Sequence, residues 1–255
     1  MLGSAPNMTT EVNRGHLVDA VDARGVARLA SELISQALRD AIARSGSASL
    51  ALSGGNTPRE TYALVAREPG IDWSRTRIFW VDERAVAPND ERSNYRWAKE
   101  ALLDAAPVPH ERVHRMRAEA SDKEGAARDY EALIRQGVAP DADGVPSFDV
   151  VVMGIGDDGH TASLFPGEPT VMITDRLVVA VPPAAGHEAR LTITRPLIEH
   201  ARKLFFLVVG ASKRPALERV WSDNGDTAQT PARLVRDCRG FVEWIVDAAA
   251  AAFPR

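Results

Sequence analysis

Asp157, Asp158 and His160 stand together at the end of an apolar run, in FDVVVMGIGDDGHTASLFPG (residues 148–167). Carboxylates beside an imidazole are parts for acid–base chemistry. The imidazole moves a proton near neutral pH, and a hydrogen bond to one ring nitrogen decides which nitrogen does the work. Arg84, in Asp82-Glu83-Arg84, adds a planar guanidinium suited to carboxylates and phosphates. Lys213, in Ala211-Ser212-Lys213-Arg214, adds a point charge that could meet a phosphate. Ser53-Gly54-Gly55-Asn56-Thr57-Pro58 adds two glycines that free the backbone to fold around a ligand, ahead of a helix start whose N–H groups attract anions.

Each of these stretches has a plainer reading. Gly154, Gly156 and Gly159 spell GxGxxG, the dinucleotide fingerprint. That fingerprint needs a long helix after the loop. Here a helix runs at most from His160 to Phe165 before Pro166 and Gly167 stop it, and Asp157 and Asp158 would repel a pyrophosphate. The stretch also reads as a Gly/Asp turn with a capping Asp. SGGNTP reads as a strand–turn–helix joint, with Thr57 capping the helix and Pro58 at its first position. It is not a Walker loop, because no Gly-Lys-Ser/Thr follows. His110-Glu-Arg-Val-His114 matches HExxH, but that zinc pattern works only on a helix. Pro107 and Pro109 precede it, and Val113 to Met116 alternates like a strand, so these histidines read as surface or edge residues.

The elements that must position these groups follow from periodicity. Asp22 to Arg44 shows one apolar helical face, ended by Gly46. Ala48–Leu52, Arg77–Val81, Val150–Met153, Leu177–Val181, Lys203–Val209 and Phe241–Val246 read as strands, several of them apolar on both faces. Ser93 reads as the cap of a helix over 94–103, and Ser121, with Glu124 three residues on, as the capping box of a helix to Arg135. Ser212 reads as the cap of a helix to Trp221, and a terminal helix follows Asp247. Glu188 to Thr194 leads into Pro196 and a short helix, and Pro182 to His187 is a loop. Strands alternating with helices predict an α/β fold: a mainly parallel, Rossmann-like sheet flanked by helices. Right-handed crossovers then bring Ser53–Thr57, Asp82–Arg84, Asp157–His160 and Lys213 to one edge. In open α/β sheets that edge binds ligands.

The composition, 45% hydrophobic and 26% charged over 255 residues with a net charge of −4, is that of a globular protein. Nothing in it suggests nucleic acid, and no apolar run approaches the ~20 residues of a membrane span. The single cysteine, Cys238, excludes an internal disulfide and fits a reducing, cytoplasmic setting. Residues 1–14 read as a flexible leader and 15–255 as one domain. The oligomeric state is open, and a monomer is compatible with the sequence.

LALSGGNTPRETYALV, WVDERAVAPNDERSNY, FDVVVMGIGDDGHTASLFPG, RLTITRPLI and GASKRPAL, in this order, resemble the 6-phosphogluconolactonase family of the pentose phosphate pathway. The similarity covers nearly the whole chain after about residue 15. It implies a fold related to glucosamine-6-phosphate deaminase, and hydrolysis of 6-phospho-D-glucono-1,5-lactone with no metal or cofactor. On the resemblance His160 is the general base and Arg84 binds substrate. Gly54, Gly55 and Thr57, with Asn56 between them, form the substrate loop. Lys213 and Arg190 lie near the phosphate, and Asp82 of the DER motif joins the substrate-binding set. Asp158 either orients the His160 ring or caps the turn. Relatives often carry a Ser-Pro-Lys-Pro-Pro segment where this chain has Val181-Pro-Pro-Ala-Ala-Gly-His-Glu-Ala, which bears on the contacts of Arg190. Asp157 replaces a proline common in relatives and is assigned no role.

Two rivals remain. The deaminases share the glycine loop and an Asp-Gly-His motif but continue with an Asn-Glu-Pro-type segment; this chain has Leu164-Phe165-Pro166-Gly167. A non-catalytic sugar-phosphate sensor would need a nucleic-acid-binding module, for which the chain has no room before its first helix.

Overall fold

The computed structural model describes residues 13–183 and 187–253. Most of the leader expected over 1–14, and residues 184–186 of the loop expected after Pro182, lie outside the described residues. Asn13 and Arg14, expected in the leader, are anchored: Asn13 Nδ2 donates to the Cys238 carbonyl at 3.1 Å, and the Arg14 carbonyl accepts from Trp244 Nε1 at 2.9 Å.

The chain opens with β1 (His16–Ala20), α1 (Ala23–Ser45), β2 (Ala48–Leu52), α2 (Asn56–Val65), β3 (Thr76–Trp80), β4 (Asp82–Arg84) and α3 (Asn94–Ala98). It continues with α4 (Lys123–Gly137), β5 (Val150–Met153), β6 (Val178–Val181), β7 (Arg190–Ile193) and α5 (Arg195–Glu199). It ends with β8 (Lys203–Val208), α6 (Arg214–Trp221), β9 (Phe241–Asp247) and α7 (Ala248–Ala251). Six strands form one sheet in the order β1-β9-β8-β5-β2-β3, every pair parallel. The chain steps from β2 outward to β3, then returns to β5 on the other side of β2. That reversal opens a crevice between the C-terminal ends of β2 and β5, where open parallel sheets bind ligands.

The strands β2 and β5 are buried along their whole length, which is why their sequences are apolar rather than alternating. The core is completed by large rings. Phe206 stacks on Trp244 at 3.9 Å, and Phe79 meets Phe148 edge-on at 5.3 Å. Helix α1 packs over β2, β8 and β9. Asp22 caps it by accepting from the Gly25 N–H at 2.8 Å, and Gly46 ends it with φ 79.

Several local expectations shift. Asp122, not Ser121, caps α4, because its carboxylate is the one that reaches the Gly125 N–H. Helix α2 begins at Asn56 with Gly55 at the cap, so Thr57 already sits inside the first turn. Gly210 precedes a single 3₁₀ turn over Ala211–Lys213, and the Ser212 hydroxyl is used elsewhere. The helix expected over 94–103 is α3 followed by a widened turn, Lys99–Leu103. His110 and His114 share no helix face: a 3₁₀ turn spans His110–Arg112, and His114 stacks on Phe79 beside the edge strand β3. Strand β1 is short, with His16 and Asp19 exposed and no residue fully buried, a weak apolar signal that periodicity did not single out.

A second sheet adds what alternation alone did not predict. Strands β4, β7 and β6 pair antiparallel. Asp82-Glu83-Arg84 is therefore a strand and not a loop at the lip, with Arg84 opposite Arg190.

Candidate active site

Two buried tyrosines fix the strand ends beneath the crevice. Tyr62 of α2 accepts from the Ser53 N–H at 3.0 Å and donates to the Ser53 carbonyl at 2.9 Å. Tyr130 of α4 makes the same pair of bonds with Trp80 at the end of β3. Burial pushes both phenols well above their ordinary range, so both remain neutral donors. The glycine turn after β2 is shaped by Asn94. Its amide group donates to the Asp82 carbonyl at 2.9 Å and to Asp82 Oδ1 at 3.0 Å. Its Oδ1 then presses on Gly54, where an added Cβ would lie 1.7 Å away. No other residue type fits there. Asn94 itself is placed by Glu83, whose carboxylate accepts from the N–H groups of Asn94 and Tyr95 and from the Ser93 hydroxyl.

The turn after β5 carries the imidazole. Asp158 Oδ1 lies 2.7 Å from His160 Nδ1 and accepts from the His160 N–H at 3.0 Å. The carboxylate thus both orients the ring and closes the turn. Burial raises the Asp158 carboxyl, but its bonds to His160 outweigh that and hold it below the ordinary carboxylate range. With Nδ1 directed to Asp158, Nε2 is the nitrogen left for chemistry. A Cβ on Gly156 would lie 2.1 Å from His160 Nδ1 and 2.5 Å from Asp158 Oδ1, so this glycine is the space the pair occupies. Phe165 packs against the His160 ring at 4.9 Å. No helix follows: Thr161 to Leu164 is a tight turn in which Ala162 adopts φ 49, a left-handed conformation that costs a non-glycine residue about 1 kcal/mol. The turn sends Ser163 inward to donate to Asp82 Oδ2 at 2.6 Å.

Three cationic side chains reach the crevice. Lys213 Nζ lies 2.7 Å from Asp157 Oδ1. Arg84 donates to the Arg92 carbonyl at 2.6 Å. Arg190 is nearly buried beneath them, with Nη1 3.4 Å from Asp82 Oδ2 and its guanidinium over the Phe165 ring at 5.5 Å. The Nε atoms of Arg84 and Arg190 are buried without a partner among the described residues.

Gly54, Gly55, Asp82, Arg84, His160, Arg190 and Lys213 line one cleft of about 220 Å³. Asp158 stands behind His160. Asn56 lies in an adjoining outer recess that shares Gly55, Arg84 and Arg190 with the cleft. Thr57 lines neither. The carboxylate of Asp82 faces Asn94, Ser163 and Arg190, so its oxygens are engaged by the protein. Sequence reasoning missed Asn94, Ile155 and Ala162 in the cleft wall. Asn94 carried one signal, its place beside the capping Ser93.

An open parallel α/β sheet with an oriented imidazole and three cationic groups at its switch point is an arrangement able to hold a small anionic molecule. The model of the family of glucosamine-6-phosphate isomerases/6-phosphogluconolactonase matches residues 21–244, and the chain belongs to that family. It is 39% identical over 214 residues to a 6-phosphogluconolactonase of Synechocystis sp., covering 84% of this chain and 88% of the relative. Among solved structures, 6-phosphogluconolactonase from Trypanosoma cruzi superposes with a TM-score of 0.82 at 26% identity, covering 94% of this chain and 97% of that one. A monomeric glucosamine-6-phosphate deaminase shares the fold, with a TM-score of 0.78 at 20% identity over 93% of this chain and 99% of that one.

Proposed function

We infer that this chain hydrolyses 6-phospho-D-glucono-1,5-lactone to 6-phospho-D-gluconate in the pentose phosphate pathway, with His160 as general base. The family and the named relatives support the reaction. The observation that carries the role of His160 is the 2.7 Å contact between Asp158 and its Nδ1, on the wall of a cleft that also holds Arg84, Arg190 and Lys213.

A lactone is an activated ester and needs no covalent nucleophile. Nε2 of neutral His160 takes a proton from water as the water oxygen bonds to the C1 carbonyl carbon. Asp158 stabilises the imidazolium that forms. The C1 oxygen becomes an oxyanion, for which Arg84 and the N–H groups of the glycine turns are the donors. Collapse of this intermediate breaks the bond from C1 to the ring oxygen. The imidazolium returns its proton to that oxygen, which leaves as the C5 hydroxyl. The new carboxylic acid then releases one proton to solvent. Lys213, Arg190 and the Gly54–Asn56 turn hold the phosphate and sugar, contributing orientation rather than chemistry.

No helix among the described residues is long and apolar enough to cross a membrane. This reading has the enzyme act on a free sugar phosphate in the cytoplasm, without nucleic acid or membrane as partner.

The test is hydrolysis of freshly prepared 6-phosphogluconolactone against a no-enzyme control, with glucosamine 6-phosphate in parallel. We expect rapid lactone opening that falls about 10²–10⁴-fold in His160→Ala. No acceleration above the control from a folded sample overturns the reading, and ammonia release from glucosamine 6-phosphate transfers it to the deaminases.

A further inference from the structure

The turn that presents His160 carries a second carboxylate, for which lactone hydrolysis as described has no use. Asp157 has a side chain 62% exposed, yet its carboxylate is engaged. Oδ1 sits 2.7 Å from Lys213 Nζ and accepts from the Ser212 hydroxyl at 3.2 Å. The Asp157 carbonyl accepts from the Arg219 guanidinium at 3.0 Å. Two residues on, the Gly159 carbonyl accepts from the Ala232 N–H at 3.0 Å, and a Cβ on Gly159 would lie 2.9 Å from Thr230 Cγ2. The turn is therefore seated against α6 and the 230–232 segment, and Asp157 is held where it meets Lys213. The bond to Lys213 keeps the Asp157 carboxyl below its ordinary range.

Lys213 differs from the other two cations of the cleft in its counter-ion. Arg190 faces the buried carboxylate of Asp82, and Arg84 faces a backbone carbonyl. Only the partner of Lys213, among these three, is an exposed carboxylate on the rim. A phosphate dianion arriving at Lys213 meets that carboxylate at hydrogen-bond range. The ammonium has three N–H donors, so it either shares them or exchanges one anion for the other. In both cases the charge of Asp157 opposes the dianion.

We propose that Asp157 is a built-in counter-ion that competes with the substrate's phosphate for Lys213, and so sets how strongly the cleft favours phosphorylated over unphosphorylated lactones. This rests on the lactonase reading above. In the empty cleft Asp157 keeps the ammonium in place. In the occupied cleft it weakens the hold on substrate and product alike, because both carry the same phosphate. Such uniform weakening raises KM and leaves kcat in place. It also limits retention of the product, which carries a new carboxylate as well.

Asp157→Asn tests this while keeping the size of the side chain. We expect KM for 6-phosphogluconolactone to fall about two- to fivefold, the scale of one exposed charge pair, with kcat within about twofold. Kinetics on unphosphorylated D-glucono-1,5-lactone should not change. Titration with inorganic phosphate, followed by calorimetry, should show tighter binding by the same factor. The gain should vanish when Asp157→Asn is made in a Lys213→Met background. Unchanged or weaker phosphate binding in Asp157→Asn overturns the proposal, and so does a gain that persists without Lys213. A wild-type protein that fails to open the lactone would sink the lactonase reading, while the phosphate titration would still decide the role of Asp157.

Discussion

The Asp158 carboxylate makes two bonds to one residue, to the His160 N–H and to its Nδ1. The charge matters beyond the bond, because it stabilises the imidazolium that forms during turnover. Asp158→Asn keeps the shape and loses the charge. We expect kcat to fall about tenfold or more with KM nearly unchanged, read from initial rates on the fresh lactone. The carboxyl is depressed below its ordinary value of 3.8 in the fold. A depressed acid stabilises the native state above its unfolded value, and the contribution is lost as pH falls through the folded one. The stability difference between wild type and Asp158→Asn should therefore be present at pH 7 and shrink below pH 3.8, as urea melts at both ends would show.

At the scale of elements, two glycine turns hold the site, and they fail differently. After β5, a Cβ on Gly156 meets the His160 ring and the Asp158 carboxylate, which are side-chain ends able to move. Gly156→Ala should displace the ring, cut kcat and leave the melting temperature nearly intact. After β2, a Cβ on Gly54 meets Asn94 Oδ1 at 1.7 Å, and that amide is pinned by two bonds to Asp82 in a buried position. Gly54→Ala should cost about 1–3 kcal/mol of stability, measured by denaturant unfolding, because the neighbour has nowhere to go. The third turn, after β8, is held from β9: Asp247 Oδ1 accepts from the Gly210 N–H at 3.0 Å and from the Ala250 N–H at 2.8 Å. One carboxylate thus caps α7 and fixes the start of the segment that carries Lys213.

At the scale of the molecule, the parallel sheet and the small antiparallel sheet meet in one buried polar network. Asp82 from β4 accepts from Ser163 in the turn after β5, from Asn94 on α3, and faces Arg190 from β7. A buried ion pair of this kind contributes little net stability as a pair, yet losing one of its partners is costly. It serves here as a junction that sets the cleft walls relative to each other. Ser163→Ala removes the 2.6 Å bond and leaves a buried carboxylate short of a donor. We expect a loss of about 1–3 kcal/mol in denaturant unfolding and a raised KM, as Arg190 loses its fixed position.

The sequence by itself determined five of the six parallel strands and the edge at which the candidate site residues gather. β2, β5 and β8 are legible because a strand covered on both faces is apolar nearly throughout, broken here only by Ser49 and Lys203. Helix α1 is legible because one buried face repeats at the helical period. His160, Arg84 and Lys213 could be placed on one edge because parallel crossovers leave few alternatives. Tertiary structure decided the rest. β4 and β7 span three and four residues, too few for a period to show, and they exist because they pair with each other and with β6. Asp82 looks like a ligand group in the chain and becomes a junction only when residues 94, 163 and 190 arrive around it. The meeting of Asp157 with Lys213 spans 56 positions in the numbering and is likewise a product of strand order. Local patterns record which surfaces a residue must bury and which backbone angles it accepts. Which charge meets which is settled only when distant strand ends are brought to one edge.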